Sequence, residues 1–306
     1  MQHTLKTQTV FKGKGLHSGA PVTMIVMPAW AGHGIEFIRQ DIDDEKAHIP
    51  AKWDLVEASQ LCTLLKNEHE TSVSTVEHLM AAFAGMGIDN ASILLDGPEV
   101  PILDGSSQQY IEAFERAGLV EQDVARKAIR ILKPVEVRDD EGRVARFEPD
   151  VSSVFEFTID FDNDVIGKQS YVFELMEADD FKSQLANCRT FTRLKDVEML
   201  MAAGLIKGGG LDNAVVFDHN KVVNPDGLRR HDEPVRHKIL DAIGDVALAG
   251  APIIGRFICE KGGHALTNKL LRKLFSETDA YSETTDFLGI GKVENMSSSE
   301  KLAYNA

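Results

Sequence analysis

The stretch "PVRHKILDAIGDVALAG", residues 234–250, decides the fold. At about 100° per residue, Ile239, Leu240, Ala242, Ile243, Val246 and Ala247 share one side of a helix, while His237, Asp241 and Asp245 fall within an arc of about 80° on the other. The preceding "DEP", 232–234, supplies a start signal: an acidic residue before a first-turn Pro. Such a polar stripe has two readings. It is a solvated surface face, as most His and Asp pairs on helices are. Or it is a coordinating face, because short, rigid imidazole and carboxylate groups suit a metal ion better than the Glu, Lys, Gln and Ser of an ordinary wet surface. The second reading needs a third ligand, and it leaves Asp245 to steer a neighbouring imidazole.

Two other stretches offer histidines in comparable settings. In "SVSTVEHLMAAFAGMGIDN", 72–90, Glu77 and His78 open an apolar helix. Ser74-x-x-Glu77 also matches a capping box, in which Glu77 would only bond back to the helix start. In "EKGGHALTNKLLRKLF", 260–275, a strand ends, two glycines turn the chain and His264 begins a helix. The positive end of the helix dipole should keep that imidazole neutral, and a nearby carboxylate would reverse the preference. If the helices pack side by side, Asp245 is that carboxylate.

Outward from these segments, residues 1–120 combine strand-like runs ("VTMIVMPA", "GIEFIR", "ASILLDG") with helical patterns at 75–84 and 108–117. Residues 128–275 repeat the grammar, with strands at "AIRILKPVEV", "ARFEPD", "VFEFTIDF" and "IIGRFICE" and helices near 178–186, 193–203, 235–249 and 265–275. Strands come in adjacent runs with helices grouped after them, which predicts an α+β fold. The polar "GLVEQDVARK" marks a boundary, giving an N-terminal domain over 1–122 and a C-terminal domain over 128–275. Residues 276–306 lose the pattern and read as a loosely packed tail.

Composition bounds the function. With 33 Lys and Arg against 48 Asp and Glu, the net charge of −15 argues against a nucleic-acid binder, so an anionic ligand needs a local basic pocket. The longest apolar run, around "VALAGAPIIG", is too short to span a bilayer, and "MQHTLKTQTVFKGKG" has no apolar core of a signal peptide. Cys62, Cys188 and Cys259 stand far apart without a CxxC, which suits a reducing cytoplasm and neither a disulfide framework nor a thiolate metal site.

Taken together, "STVEHLMAAFAGMGIDN", "VRHKILDAIGD" and "GGHALTNKLL" resemble the zinc-dependent UDP-3-O-acyl-N-acetylglucosamine deacetylases of lipid A biosynthesis. The resemblance extends to "GKGLHSG" (13–19), "GPEVPILDGSS" (97–107), "NCRTF" (187–191) and "GLIKGGGLDNAVVF" (204–217), in the family's order, and covers the chain to about residue 275. It implies two α+β domains of similar topology, each a small sheet packed on helices, with the helices sandwiched between outer sheets and a small insert in each domain.

Carried over residue by residue, the resemblance implies that His78, His237 and Asp241 hold one Zn²⁺ per chain. Glu77 becomes the general base, His264 an imidazolium oriented by Asp245, and Thr190 a stabiliser of the oxyanion. The substrate is a nucleotide sugar carrying an acyl chain. Lys238 and Lys261 are the expected cations for its diphosphate, with His17 a further polar contact. Met and Leu at helical spacing near 191–217 by default describe ordinary core, whereas the resemblance implies an insert there that forms a hydrophobic passage, lined by Leu16, Phe191, Val197, Leu211 and Val216. The expected protein is a cytoplasmic monomer with at most peripheral membrane contact. Rival readings are a zinc amidohydrolase acting on another acylated amino sugar, and a metal-free nucleotide-sugar binding module.

Overall fold

The computed structural model describes residues 1–163 and 165–286. The architecture is mixed α+β. A five-stranded sheet runs in the order Thr9–Lys14, Pro21–Pro28, Ala91–Leu95, Ile35–Arg39, His48–Pro50, antiparallel except where Ile35–Arg39 lies parallel to Ala91–Leu95. A seven-stranded sheet from the second half is built around Ile253–Glu260, which pairs antiparallel with Val144–Glu148 and parallel with Ser153–Asp160 and Ala128–Ile131. Two three-stranded sheets are small: Val56–Glu57, Leu64–Lys66, Ser72–Ser74, and Phe191–Arg193, Val215–Asp218, Lys221–Val222.

The helices are α1 (Asp44–Ala47), α2 (Glu77–Met86), α3 (Gln108–Ala117), α4 (Ala178–Gln184), α5 (Leu194–Ala202), α6 (Glu233–Ala247) and α7 (His264–Ser276). In α2 the run Leu79 to Phe83 is buried on every side, the mark of a helix inside the protein rather than on it. Gly87 ends α2 in the left-handed conformation, donating to the carbonyls of Ala84 and Phe83. Pro234 sits in the first turn of α6, where its missing N–H is no loss.

α2 packs along α6, and α6 touches α7, so helices from both halves of the chain meet. Gly244 permits the approach: a Cβ there would stand 2.0 Å from the Glu77 carbonyl oxygen. The buried apolar side chains of both halves form one continuous cluster.

Several expectations need correction. Pro134 divides "AIRILKPVEV" into Ala128–Ile131 and Val135–Arg138, because proline cannot donate to a ladder. Leu119–Gln122, inside the expected linker, pairs antiparallel with Gln2–Leu5. Tyr281–Thr284, placed in the loose tail, pairs antiparallel with Ala128–Ile131 and joins the large sheet. The rest of that tail, 287–306, lies outside the described residues. Among the described residues no helix is long and apolar enough to cross a membrane.

Candidate active site

The opening turn of α2 departs from the capping box. Ser74 ends a strand and its hydroxyl donates to the Pro98 carbonyl at 3.3 Å. Thr75, held at φ 58°, turns the chain, and Val76 is the N-cap. Glu77 is therefore the first residue of the helix, and its side chain is released from capping into a buried space, 3% exposed. His78 is buried beside it, and its carbonyl accepts from Ser107 Oγ at 2.7 Å.

The polar stripe of α6 is also buried, so the solvated-face reading fails: His237, Asp241 and Asp245 all lie in the interior. His78 Nε2 and His237 Nε2 approach Asp241 Oδ1 to 3.4 Å and 3.2 Å. One ligand atom from each of these three residues lies within 4.8 Å of the others.

The donor set fits a divalent metal. His237 Nδ1 donates to the Cys188 carbonyl at 3.0 Å, which leaves the Nε2 lone pair aimed inward. Burial pushes the His237 imidazole down to about 4, against the pull of Asp241, so it is neutral as a ligand must be. Burial alone would raise the Asp241 carboxyl, but His237 and Lys238 overcome it and hold it well below the usual range. His237 Nε2 and Asp241 Oδ1 are buried polar atoms without a hydrogen-bond partner, a costly arrangement that a shared cation removes. Two imidazoles and one carboxylate with an open side match catalytic rather than structural zinc sites.

Across from this triad, burial raises the Glu77 carboxyl, opposed chiefly by the charge of His264. Its Oε2 accepts the Thr63 amide at 3.0 Å. His264 resolves the contest between helix dipole and carboxylate. Burial works against its charge, yet Asp245, whose Oδ2 lies 2.8 Å from Nδ1, raises the imidazole to about 9. Its Nε2 faces Glu77 Oε1 at 4.0 Å and Asp241 Oδ2 at 3.9 Å. These gaps are too long for hydrogen bonds and short enough for one reacting atom to bridge.

A cleft of about 1100 Å³ opens over these groups. Every residue singled out in the sequence lines it except Asp245, which stands behind His264: Leu16, His17, Glu77, His78, Thr190, Phe191, Val197, Leu211, Val216, His237, Lys238, Asp241, Lys261 and His264. Motif convergence has a backbone cause. A Cβ on Gly208 would meet the Gly15 carbonyl oxygen at 2.1 Å, so only glycine lets "KGGG" lie against "GLHSG". Gly105, at φ +79°, accepts the Thr190 amide at 2.8 Å and leaves no room for a side chain beside Asn213.

The two lysines differ. Lys238 Nζ sits 2.6 Å from Asp241 Oδ2 and is committed to that carboxylate, whereas Lys261 is half exposed at the rim, 2.6 Å from Asp160. Both ring nitrogens of His17 are buried without partners, and its amide donates to Glu99 at 2.8 Å. The core reading fails for α5, which contains no buried residue and leaves Met199 and Met201 63% and 53% exposed beside the cleft, but holds for the strand Val215–Asp218, where Val215 and Phe217 are buried. Sequence reading missed Thr63, Glu99, Glu233 and Arg189. The last two form a buried pair, Arg189 Nε to Glu233 Oε1 at 2.9 Å, that fixes the loop carrying Cys188 and Thr190. Glu233 lies four residues before His237 on the same α6 face, a signal the stripe already contained.

The family model described as "LpxC: UDP-3-O-acyl N-acetylglycosamine deacetylase" matches residues 2–276. A UDP-3-O-acyl-N-acetylglucosamine deacetylase of Phenylobacterium zucineum is 45% identical over 93% of this chain and 96% of its own length. Proteins of the same name from Haemophilus influenzae and Pasteurella multocida are each 46% identical, with 93% of both chains covered.

Proposed function

We propose, for a chain that belongs to the UDP-3-O-acyl-N-acetylglucosamine deacetylase family, zinc-dependent hydrolysis of the N-acetyl amide of a UDP-3-O-acyl-N-acetylglucosamine, a step of lipid A biosynthesis. The observation that carries the reading is the meeting of His78, His237 and Asp241 within 4.8 Å, facing a buried carboxylate and a charged imidazole. An amide is a poor electrophile and its nitrogen leaves only after gaining a proton, so the reaction needs both a base and an acid. When bound, Zn²⁺ supplies Lewis acidity towards the carbonyl and the attacking water.

The chain's own residues do the rest. Glu77, its basicity raised by burial, takes a proton from water as the water oxygen bonds to the acetyl carbon. Thr190 and the Nε2 proton of His264 face the oxygen on which negative charge develops. His264 is charged because Asp245 holds it so, which also makes a proton available to the amine as the C–N bond breaks and acetate departs. Lys261 holds the diphosphate at the rim. Leu16, Phe191, Val197, Leu211 and Val216 flank the acyl chain. In the same reading residues 1–122 and 128–275 are two domains meeting at α2 and α6, and 191–217 is the insert that walls the acyl passage. The protein acts as a monomer in the cytoplasm.

Metal analysis joined to an assay of free amine release from the acylated nucleotide sugar tests this. One zinc per chain and loss of activity on chelation are expected. Undiminished turnover after complete metal removal would end the proposal.

A further inference from the structure

Thr63 lies just before the strand Leu64–Lys66 and is 2% exposed. Its main chain is tied to the start of α2: its amide donates to Glu77 Oε2 at 3.0 Å, and its carbonyl accepts from the Val76 amide at 3.5 Å. Its hydroxyl reaches the other way, donating to Asp245 Oδ1 on α6 at 2.5 Å, across 182 residues of sequence. A carboxylate accepts only, so the threonine proton must point at Asp245.

Asp245 is therefore gripped at both oxygens, by Thr63 at Oδ1 and by the His264 Nδ1 proton at Oδ2. A carboxylate with one oxygen free can swing about its terminal torsion, which is broad and roughly two-fold. One with both oxygens held keeps its plane, and with it the plane of the imidazole. We propose that Thr63 is a positioning residue which locks the Glu77 carboxylate and the Asp245–His264 pair into one rigid unit spanning α2 and α6. The hydroxyl aims His264 Nε2 at the gap opposite Glu77 Oε1, while the amide fixes Glu77 on its own side of that gap. The assignment rests on the reading of Glu77 and His264 as the reacting base and acid.

The hydroxyl separates from the amide by mutation: Thr63→Val keeps the shape and both main-chain bonds, and Thr63→Ser keeps the hydroxyl. Zinc-loaded full-length chains are compared by steady-state kinetics, and the His264 Nδ1 proton is followed by NMR with zinc and without. A hydrogen bond to a charged group predicts a loss of about 10- to 100-fold in kcat for Thr63→Val, with KM and zinc content unchanged and a displaced Nδ1 resonance. Thr63→Ser should recover most of the rate and restore the resonance. Thr63→Ala gives the same contrast with Thr63→Ser if the valine variant does not fold. An undiminished kcat, a loss confined to KM, or a serine variant no better than valine overturns the proposal. The resonance requires no substrate, so an unmoved Nδ1 proton in Thr63→Val overturns it on its own, even if the wild-type chain releases no amine and the deacetylase reading falls.

Discussion

The centre between α2 and α6 and the wall made by α5 are built on opposite terms. In the centre, Glu77, His78, His237, Asp241 and Asp245 are all buried, and protein partners hold Glu77, Asp245 and His237 Nδ1, while His237 Nε2 and Asp241 Oδ1 are left without a hydrogen-bond partner. In α5 no residue is buried, and Leu194, Met199 and Met201 leave apolar surface uncovered next to the cleft. Burial of charged groups is costly, so the protein fixes most of this polar centre and leaves the two orphaned atoms to a cation, and that fixing is the rigidity that acid–base chemistry requires. Apolar side chains left in solvent gain only when something apolar covers them, and flexible Met suits a chain-like ligand without a defined shape. One region is finished by the protein but for its place for a cation, and in the proposed reading the other is finished by the acyl chain.

The largest effect should come from the finished region. Glu77→Gln preserves shape and the acceptor for Thr63, yet removes the proposed base, so kcat should fall by about 10²- to 10⁴-fold while metal analysis still finds zinc. A variant of near-normal rate would show that the centre is structural, and the contrast with α5 would lose its meaning.

Gly244→Ala attacks the packing that assembles the centre. The new Cβ would meet the Glu77 carbonyl at 2.0 Å, and overpacking of this kind costs about 1–3 kcal/mol. Denaturant unfolding should report that loss together with weakened metal affinity. The control change Ala203→Ser, at an exposed position just past α5, should leave stability unchanged within about 0.5 kcal/mol.

The electrostatic side of the comparison is read by titration. In the metal-free chain His264 should deprotonate at about 9 by NMR, well above an ordinary imidazole, and Asp245→Asn should move that midpoint down. The sign follows from a folded value above the unfolded one. The stabilisation is complete below about 6.5 and disappears as pH rises through about 9. A midpoint that ignores Asp245→Asn would show that the carboxylate does not govern the imidazole.

The smallest effect per change belongs to α5. Shortening the substrate's acyl chain should cost about 0.8 kcal/mol per methylene, near fourfold each, and should appear in binding rather than in kcat. Val197→Ala should add a further modest loss with long chains and none with short ones. Chain-length indifference would return α5 to a surface role.

How much of this was legible depends on range. The α6 stripe, with His237, Asp241 and Asp245 on one side of an apolar helix, was visible because helical periodicity is local. The exposure of α5 was not, because its Met and Leu pattern is the same for a core helix and for a ligand wall. Ser74 and Glu77 matched a capping box in spacing, but Thr75 at φ 58° and the strand pairing of Ser74 dissolved it. Thr63 carried no local signal at all, since both of its partners lie on other elements.

By itself, then, the sequence determined the longer helices, several of the strand runs, the residue types able to hold a metal and move protons, and, through separated motifs, the family. Only the tertiary structure decided that His78 meets His237 and Asp241, that the polar stripe is buried, that Lys238 is tied to Asp241 while Lys261 stands at the rim, and that Asp245 charges His264. The reason is physical: periodicity and turn chemistry act over a few residues, whereas burial and Coulomb energy depend on which side chains the fold brings within a few ångströms, whatever their distance along the chain.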